Sequence, residues 1–270
     1  MLFRRLPKLN QVLNLTNYHL CFQRPRLAVH LAPTLQRSER TLTSSAAMSA
    51  AVGPSSQREK PSKMQAKFCK QCGGNISLSI PEGDQEWRHV CTNCGFIDYY
   101  NPKMVVGCIV EHEGKILLCK RAIDPCRGKW TFPAGFMELH ESSMDGARRE
   151  TAEEANANVE GLAPYTHLDI PAIAQTYILF RAKLAAPYTY SPGAESLAVQ
   201  FFEPHEIPFD QLAFSSVAIT LEHYMQDCRQ GTFRIHHGVI DKRPASSPND
   251  PTTFTLRDHV AIPTQLPARL

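Results

Sequence analysis

Residues 135–157 read GFMELHESSMDGARRETAEEANA, and this stretch decides the fold of the chain. It predicts a helix from Ser142, because Ser142 can cap the first turn and apolar residues then recur at helical intervals. Glu150, Glu153 and Glu154 fall on one face of that helix. Like charges at these spacings repel each other, so their clustering is favourable where they bind a divalent cation. Carboxylate oxygens suit Mg²⁺ or Mn²⁺, and a merely solvated acidic face is the alternative.

The loop directly before this helix carries a glycine where the backbone must approach a ligand closely. Residues 130–136 read WTFPAGF, an apolar strand that turns at Gly135. Glu141 follows Gly135 after five intervening residues, and Arg149 follows Glu141 after seven. The complete pattern, G-x5-E-x7-R-E-T-x-E-E-x-N-A, resembles the Nudix box, G-x5-E-x7-R-E-U-x-E-E-x-G-U, where U is a bulky aliphatic residue.

The resemblance to the Nudix box implies an enzyme that hydrolyses a diphosphate linked to a nucleoside. It also implies an α/β fold, the Nudix α/β/α sandwich with a mixed sheet. Three glutamates of the helix match the metal-binding and base-bearing positions: Glu150, Glu153 and Glu154. The backbone carbonyl of Ala134 matches a further metal ligand. Arg149 matches the arginine that links the loop to the helix, and Glu141 matches the carboxylate that pairs with this arginine. Bound Mg²⁺ or Mn²⁺ would cancel diphosphate charge and lower the pKa of the attacking water.

Three positions depart from the box. Thr151 and Ala157 are smaller than the usual aliphatic residues, and Asn156 stands where glycine is expected. Asparagine is the next-best residue for a left-handed turn at the end of a helix. We therefore expect the turn to be kept at some cost in stability, and the metal ligands to be unaffected.

A second motif precedes the box and predicts a small zinc ribbon. Cys69 and Cys72 form one pair, an 18-residue spacer follows, and Cys91 and Cys94 form the other pair. Glycine follows each pair and permits the tight turn that points backbone N–H groups at the thiolates. Four thiolates complete a tetrahedral shell with no position for water, so the Zn²⁺ site is expected to be structural. Disulfides are the alternative, but an intracellular enzyme does not usually keep them.

Charge is distributed unevenly along the chain. Residues 1–64 contain ten Lys or Arg and two acids, a balance of +8, whereas residues 65–270 contain nineteen and twenty-four, a balance of −5. An acidic domain argues against a nucleic-acid-binding surface, which is normally basic.

The N-terminal composition is typical of an organelle transit peptide. Residues 1–50 contain seven Lys or Arg, one acid and a Ser/Thr/Ala-rich stretch. A chloroplast is the expected destination, and a mitochondrion is the alternative. Polar residues interrupt every apolar run, so neither a secretory signal nor a membrane span is predicted. The predicted organisation is a transit peptide (1–50), a linker (51–66), a zinc ribbon (67–100), a Nudix domain (101–232) and an extended C-terminal tail (233–270).

Hydrophobic periodicity predicts further elements of the domain. Four segments predict strands: 104–110, 115–119, 174–184 and 197–202. Apolar residues from Phe214 to Cys228 recur at helical spacing, and Gly231 is placed to end that helix. The Pro- and Ser-rich sequence from Pro244 predicts a tail that is draped rather than packed.

A wider resemblance narrows the substrate class. The likeness to plastid Nudix hydrolases of green plants that cleave FAD covers nearly everything from Phe68 to the tail. Five segments carry it: 101–108, 169–171, 175–177, 214–216 and 242–248. NADH pyrophosphatases of the bacterial type also have a four-cysteine zinc site, but their downstream signature SQPWPFP is absent here. The resemblance therefore implies cleavage of FAD to FMN and AMP, with ADP-ribose and NADH as secondary substrates. A homodimer stays open.

Four further residues are candidates for the substrate cleft. Glu195 precedes the strand at 197–202 and is our loop candidate for a metal ligand or general base, although an ordinary turn residue would look the same. Phe132, Phe136 and Tyr177 are candidates for stacking on flat bases, although strand aromatics are more often core.

Two other function classes are weighed against the enzyme. A non-catalytic, nucleotide-sensing Nudix module would normally have lost a box glutamate, and this chain has kept them all. A hydrolase of NAD-capped RNA would favour a basic face that residues 65–270 do not supply on balance.

Overall fold

The first described residues form a small three-stranded sheet that carries the four cysteines. The structure is a computed structural model, and it describes residues 67–242 and 253–264. Strands β1 (Ile76–Ser79), β2 (Arg88–Cys91) and β3 (Ile97–Asp98) pair antiparallel in that order. Their core holds only a few apolar side chains, so metal binding would contribute much of this sheet's stability.

The second sheet has nine strands among the described residues and is the frame of the larger domain. Its strands are β4 (Lys103–His112), β5 (Lys115–Arg121), β6 (Trp130–Thr131), β7 (Ala134–Phe136), β8 (Val159–Ile170), β9 (Gln175–Leu184), β10 (Ser196–Phe202), β11 (Arg234–Lys242) and β12 (Phe254–Pro263). They run in the order β10-β5-β4-β9-β8-β11-β12, with β6 beside β5 and β7 beside β4. The pairs β4–β9 and β8–β11 are parallel and the other pairs are antiparallel, so the predicted mixed sheet is confirmed.

Two helices cover opposite faces of this sheet, α1 (Ser143–Ala155) and α2 (Ser215–Gln230). Side chains alternate between the faces along β4. Val106 packs with Ala147 of α1, and Ile109 packs with Leu221 of α2. The predicted α/β/α sandwich, preceded by a zinc ribbon, is therefore confirmed.

The predicted strands correspond to β4, β5, β9 and β10, and the predicted apolar helix is α2. Gly231 ends α2 in the left-handed conformation (φ 65°), where it accommodates the chain reversal without a Cβ clash. No pattern in the sequence predicted β8. Register shifts beside Glu160 and Pro164 interrupt the alternation that would have predicted this strand.

The C-terminal prediction is wrong for the described part of residues 233–270. Instead of an unpacked tail, β11 pairs with β8 and β12 pairs with β11. Ile240 is fully buried with Leu168 and Ile170 of β8. The larger domain therefore continues beyond residue 232, because β8 needs β11 to satisfy its outer backbone groups.

Several predictions concern residues outside the described ranges. The transit peptide (1–50), the linker (51–66) and most of the Pro- and Ser-rich segment after residue 243 lie outside the described residues. Within residues 67–242 and 253–264, neither helix is long and apolar enough to cross a membrane.

Candidate active site

Helix α1 is held at both ends by side chains of its own segment. Ser142 caps the helix, because its Oγ accepts a hydrogen bond from the Asp145 N–H at 3.1 Å. Asn156 ends the helix in the left-handed conformation (φ 45°), as expected for the residue in the glycine position of the box. Its side-chain amide also donates to the carbonyls of Ser191 at 3.3 Å and Pro192 at 3.0 Å. A glycine could not make these bonds, so Asn156 joins the helix end to the loop before β10.

Arg149 connects the helix to the loop in front of it. Its Nε donates to Glu141 Oε2 at 3.0 Å and its Nη2 donates to Glu141 Oε1 at 2.8 Å, a bidentate pair. The same Nη2 donates to the Phe136 carbonyl at 3.0 Å. Hydrogen bonds from Arg149 lower the pKa of Glu141 to about 2. Arg149 Nη1 contacts Glu150 at 2.7 Å and Glu153 at 2.9 Å. One guanidinium therefore orders the loop and partly offsets the helix carboxylates.

Gly135 brings the loop into contact with the carboxylates. A Cβ at Gly135 would lie 2.4 Å from Glu150 Oε2, so a side chain there would displace the Glu150 carboxylate from its position. The N–H of Ala134 donates to Glu154 Oε2 at 3.4 Å. Gly107 of β4 has a related role, because a Cβ there would lie 2.5 Å from the Pro133 carbonyl. The sequence pattern indicated the first glycine but not the second.

The helix carboxylates differ in burial. Glu150 and Glu154 are buried, whereas Glu153 is exposed. Burial and the neighbouring Glu150 raise the pKa of Glu154 to about 8, and burial also raises the pKa of Glu150. Negative charge is therefore unfavourable at both buried positions without a counter-ion. These oxygen donors fit a divalent cation such as Mg²⁺ or Mn²⁺, which would reverse that penalty.

Glu195 reaches the same place from the loop before β10. The Gly193 N–H donates to the Glu154 carbonyl at 2.9 Å, and a Cβ at Gly193 would lie 1.7 Å from the Glu153 carbonyl. Only glycine therefore allows the loop to approach the helix so closely. Glu195 lines the same cleft as Glu150 and Glu154, and its charge adds to the effect of burial in raising the pKa of both.

These residues line one cleft of about 750 Å³. The cleft lining includes nine of the predicted site residues: Ala134, Gly135, Phe136, Arg149, Glu150, Glu153, Glu154, Tyr177 and Glu195. Glu141 contributes through its pairing with Arg149. Phe132 does not reach the cleft: it is 1% exposed and packs in the core beside Ile109, so its predicted stacking role is wrong.

Sequence reasoning left several residues of the cleft lining without a site role, and Arg121 and Phe214 are two of them. Arg121 ends β5 and Phe214 precedes α2, and the Arg121 guanidinium carbon lies 5.1 Å from the Phe214 ring centroid. The Arg121 guanidinium brings positive charge to the cleft, where it acts to lower the pKa of Glu154 and of Tyr177 against the larger raising effect of burial. The sequence signal for Arg121 was a basic residue at the end of an apolar strand, and Phe214 opens one of the segments that carry the wider resemblance.

The four cysteines of the ribbon converge as a tetrahedral zinc shell requires. Cys69 Sγ lies 3.8 Å from Cys94 Sγ, and Cys72 Sγ lies 3.5 Å from Cys91 Sγ. Zn–S bonds of about 2.3 Å place tetrahedral ligands roughly 3.8 Å apart, whereas a disulfide would need about 2 Å. Hydrogen bonds from the backbone N–H groups of Cys94 and Asn93 lower the pKa of Cys91 to about 6. The residues present therefore fit Zn²⁺, and all four cysteines are free thiols.

Fold and cleft together define a zinc-ribbon protein with a divalent-metal cleft in an α/β sandwich. Residues 67–100 match the family profile described as "Nudix N-terminal", and residues 101–221 match the profile described as "NUDIX domain". The crystal structure of a NUDIX hydrolase from Nitrosomonas europaea is 51% identical, with a TM-score of 0.63. The match covers 66% of this chain and 100% of that one. This chain belongs to the Nudix family.

Curated relatives match over shorter stretches. The NAD-capped RNA hydrolase NudC of Haemophilus influenzae is 31% identical over 36% of this chain and 36% of its own length. The ADP-ribose pyrophosphatase of Methanocaldococcus jannaschii is 39% identical over 21% of this chain and 33% of its own length. The chain thus spans about a third of the length of these two relatives.

Proposed function

We propose that this protein is a metal-dependent Nudix pyrophosphohydrolase of nucleotide derivatives, with FAD as the preferred substrate and FMN and AMP as products. ADP-ribose and NADH are proposed as secondary substrates. One observation carries this proposal: Glu150, Glu153, Glu154 and Glu195 face Arg121 across a single cleft. Carboxylates for a cation and a guanidinium for a phosphate are what diphosphate hydrolysis requires.

The metal ligands of the proposed enzyme would be Glu150, Glu153, Glu154 and the Ala134 carbonyl. When bound, Mg²⁺ or Mn²⁺ neutralises diphosphate charge and acidifies the attacking water. The chain's own groups position the reaction: Arg149 holds the loop against the helix, and Arg121 can pair with a phosphate oxygen. Glu195 stands on a loop outside the helix and is the proposed acceptor of the water proton.

Support for a substrate with a large flat ring comes from the aromatic residues of the cleft. Phe136 is 46% exposed at the edge of the cleft, and Tyr177 and Phe214 also line it. An exposed phenylalanine here is available to stack on an isoalloxazine or adenine ring. The cleft volume of about 750 Å³ is in the range of small-molecule sites.

A second candidate is hydrolysis of NADH or of NAD-capped RNA. The similarity to NudC and the zinc ribbon before the Nudix domain favour it. The balance of −5 charges over residues 65–270 weighs against the RNA form of this activity.

One substrate panel tests these alternatives. The chain is incubated with Mg²⁺ and FAD, NADH, ADP-ribose, CoA, nucleoside triphosphates or NAD-capped RNA, and the products are separated by chromatography. We expect the highest kcat/KM for FAD. A higher kcat/KM for NADH or NAD-capped RNA than for FAD would favour the second candidate function over FAD hydrolysis. Equal, background rates for the wild type and Glu154→Gln would indicate a non-catalytic nucleotide-binding module.

A substitution in the cleft sharpens the test of FAD. Phe136→Leu removes a half-exposed ring and should lower kcat/KM for FAD more than for ADP-ribose, by about 1–3 kcal/mol of transition-state stabilisation. Leu139→Ala, at an exposed side chain outside the cleft lining, is the matched control. Equal losses of kcat/KM for both substrates would mean that the enzyme recognises only the adenosine diphosphate half that they share.

Localisation and assembly are separate proposals. We propose a chloroplast location on the basic, Ser/Thr-rich composition of residues 1–50, with a mitochondrion as the alternative. A fusion of residues 1–64 to a fluorescent protein tests this, and a cytosolic signal would remove it while leaving the chemistry untouched. A homodimer stays an open prediction that light scattering of the purified protein would check.

A further inference from the structure

Three histidines from three different elements meet on the α2 side of the large sheet, separate from the cleft lining. They are His223 of α2, His236 of β11 and His259 of β12. One ring nitrogen of each lies within 4.8 Å of the others. Neither the family profiles nor the sequence motifs assign any role to this cluster.

A buried carboxylate orients the central histidine. Asp227 Oδ2 lies 2.9 Å from His236 Nε2, and both side chains are almost completely buried. A carboxylate accepts, so His236 Nε2 donates the proton and His236 Nδ1 is left as an acceptor. Proteins commonly fix a metal-binding histidine in this way, with a carboxylate on the ring nitrogen that does not bind the metal. Arg234, the nearby cation, pairs with the same Asp227 and so offsets the carboxylate charge.

The lone pair of His236 Nδ1 accepts a hydrogen bond from the second histidine, and a metal ion would replace the proton of that bond. His236 Nδ1 lies 3.0 Å from His259 Nε2, and the two ring planes differ by 1°. Tetrahedral zinc with Zn–N bonds of about 2.0–2.1 Å separates its ligand nitrogens by roughly 3.3 Å. To share an ion, the two nitrogens need to separate by a few tenths of an ångström, and the rings must turn so that their lone pairs, which now point at each other, converge on the ion.

The third histidine has an unused nitrogen at the same place. His223 Nδ1 is buried and has no hydrogen-bond partner among the described residues. Its ring stacks on those of His236 and His259 with centroids 4.4 Å away in each case. Rotation of the His223 side chain would turn this lone pair toward the gap. A buried nitrogen without a partner is unfavourable, and binding of an ion would remove that cost.

We propose that His223, His236 and His259 form a second metal site, for a transition-metal ion of the Zn²⁺ class, that joins α2 to the last two strands. Imidazole ligands favour Zn²⁺, Cu²⁺ or Ni²⁺ over Mg²⁺, so this site is chemically distinct from the carboxylate cleft. His259 is exposed and gives the ion access from solvent. Among the described strands β12 pairs with β11 alone, so a bridge from His259 to α2 would hold β12 in place.

The test uses the full chain, loaded with one zinc per molecule at the ribbon, and titrates it with ZnCl₂ in excess Mg²⁺. We expect one further zinc per chain in the wild type and a rise in Tm on binding it. His223→Ala and His259→Ala should each weaken that site by about 100-fold or more and abolish the rise in Tm. His205→Ala, which removes an exposed histidine outside the cluster, should behave as wild type.

A neighbouring cluster provides the second control. His167, Asp169 and His237 lie on β8 and β11 and also group within 4.8 Å. His237→Ala should leave the second zinc in place. Loss of that zinc in His237→Ala, or equal zinc affinity in His223→Ala, His259→Ala and wild type, would overturn the proposal. Anomalous diffraction at the zinc edge then places the ion between the three rings or excludes it.

Discussion

At the level of single residues, the cleft depends on carboxylates held where their charge is unfavourable. Glu150 and Glu154 are buried side by side, and among residues 67–242 and 253–264 one guanidinium donates a hydrogen bond to them, that of Arg149 to Glu150. Stability alone would favour neutral residues at both positions. Their presence is explained by a cation that binds the folded state, as is common where function and stability oppose each other.

Replacement of Glu154 by Gln should separate stability from activity. We expect turnover to fall by several orders of magnitude, because a metal ligand is lost while the helix stays intact. A change below tenfold would contradict the role of Glu154. Glu160→Gln, at an exposed position on β8, is the control.

The Glu154→Gln variant also tests how the stability of the metal-free protein depends on pH. Burial raises the pKa of Glu154 from 4.5 to about 8, so the folded state binds its proton more tightly than the unfolded state does. The wild type should therefore lose stability through this group as the pH rises from about 5 to 8. Glu154→Gln lacks this term, so its Tm should exceed that of the wild type increasingly over this range. Parallel Tm profiles in EDTA-treated samples would show that the carboxylate is not destabilising.

At the level of elements, the loop at residues 191–195 is coupled to the end of α1. Gly193 and Asn156 make this junction, the first by close backbone approach and the second by its amide. The loop should therefore place Glu195 at a fixed distance from the helix carboxylates.

Gly193→Ala tests this coupling. Its Cβ would overlap the Glu153 carbonyl, so the loop must shift and carry Glu195 away. We expect a loss of kcat similar in size to that of Glu195→Gln. The double variant should be little worse than either single variant, because both remove the same contribution. Additive losses would mean that Gly193 acts independently of Glu195.

The zinc ribbon is an element whose stability should come largely from its metal. Cys72→Ser removes one ligand and should destabilise residues 67–100 by several kcal/mol, since structural zinc binding is itself folding free energy. Elemental analysis and hydrogen exchange measure zinc content and local opening. Cys228→Ser, at an exposed thiol on α2, should leave both unchanged. Purified wild type without zinc, with four freely titratable thiols, would contradict the site.

At the level of the whole molecule, the predictable parts of the fold are those with local signals. Three signals predict helix α1: a capping serine, apolar residues at helical spacing and the Nudix-box motif. Strands β4 and β5 are predicted by apolar runs on either side of a turn at Gly114. Helix α2 and its end at Gly231 follow from the same kind of signal. The missed parts depend on distant partners: bulges obscure β8, and β11 reads as polar because His236 and Asp241 interrupt it. Arg121 lines the cleft although it was not predicted, and Phe132 lies in the core although it was predicted in the cleft. Both positions depend on tertiary packing, for which the local sequence carries no signal.

The C-terminal strands give the last prediction. Removal of residues 233–270 would expose the backbone of β8 and delete the buried Phe233 and Ile240. It would also leave Asp227, which is fully buried, without Arg234 and His236, and an unpaired buried charge costs about 3–5 kcal/mol. We therefore expect the truncated protein to aggregate or to lose cooperative unfolding. Ile240→Ala in the full chain is the milder form of the same change and should cost about 2–5 kcal/mol, measured by denaturant titration. Removal of residues 265–270 alone is the control, because β12 ends at Pro263. A chain ending at residue 232 that unfolds at the wild-type Tm would show that β11 and β12 contribute nothing to the domain.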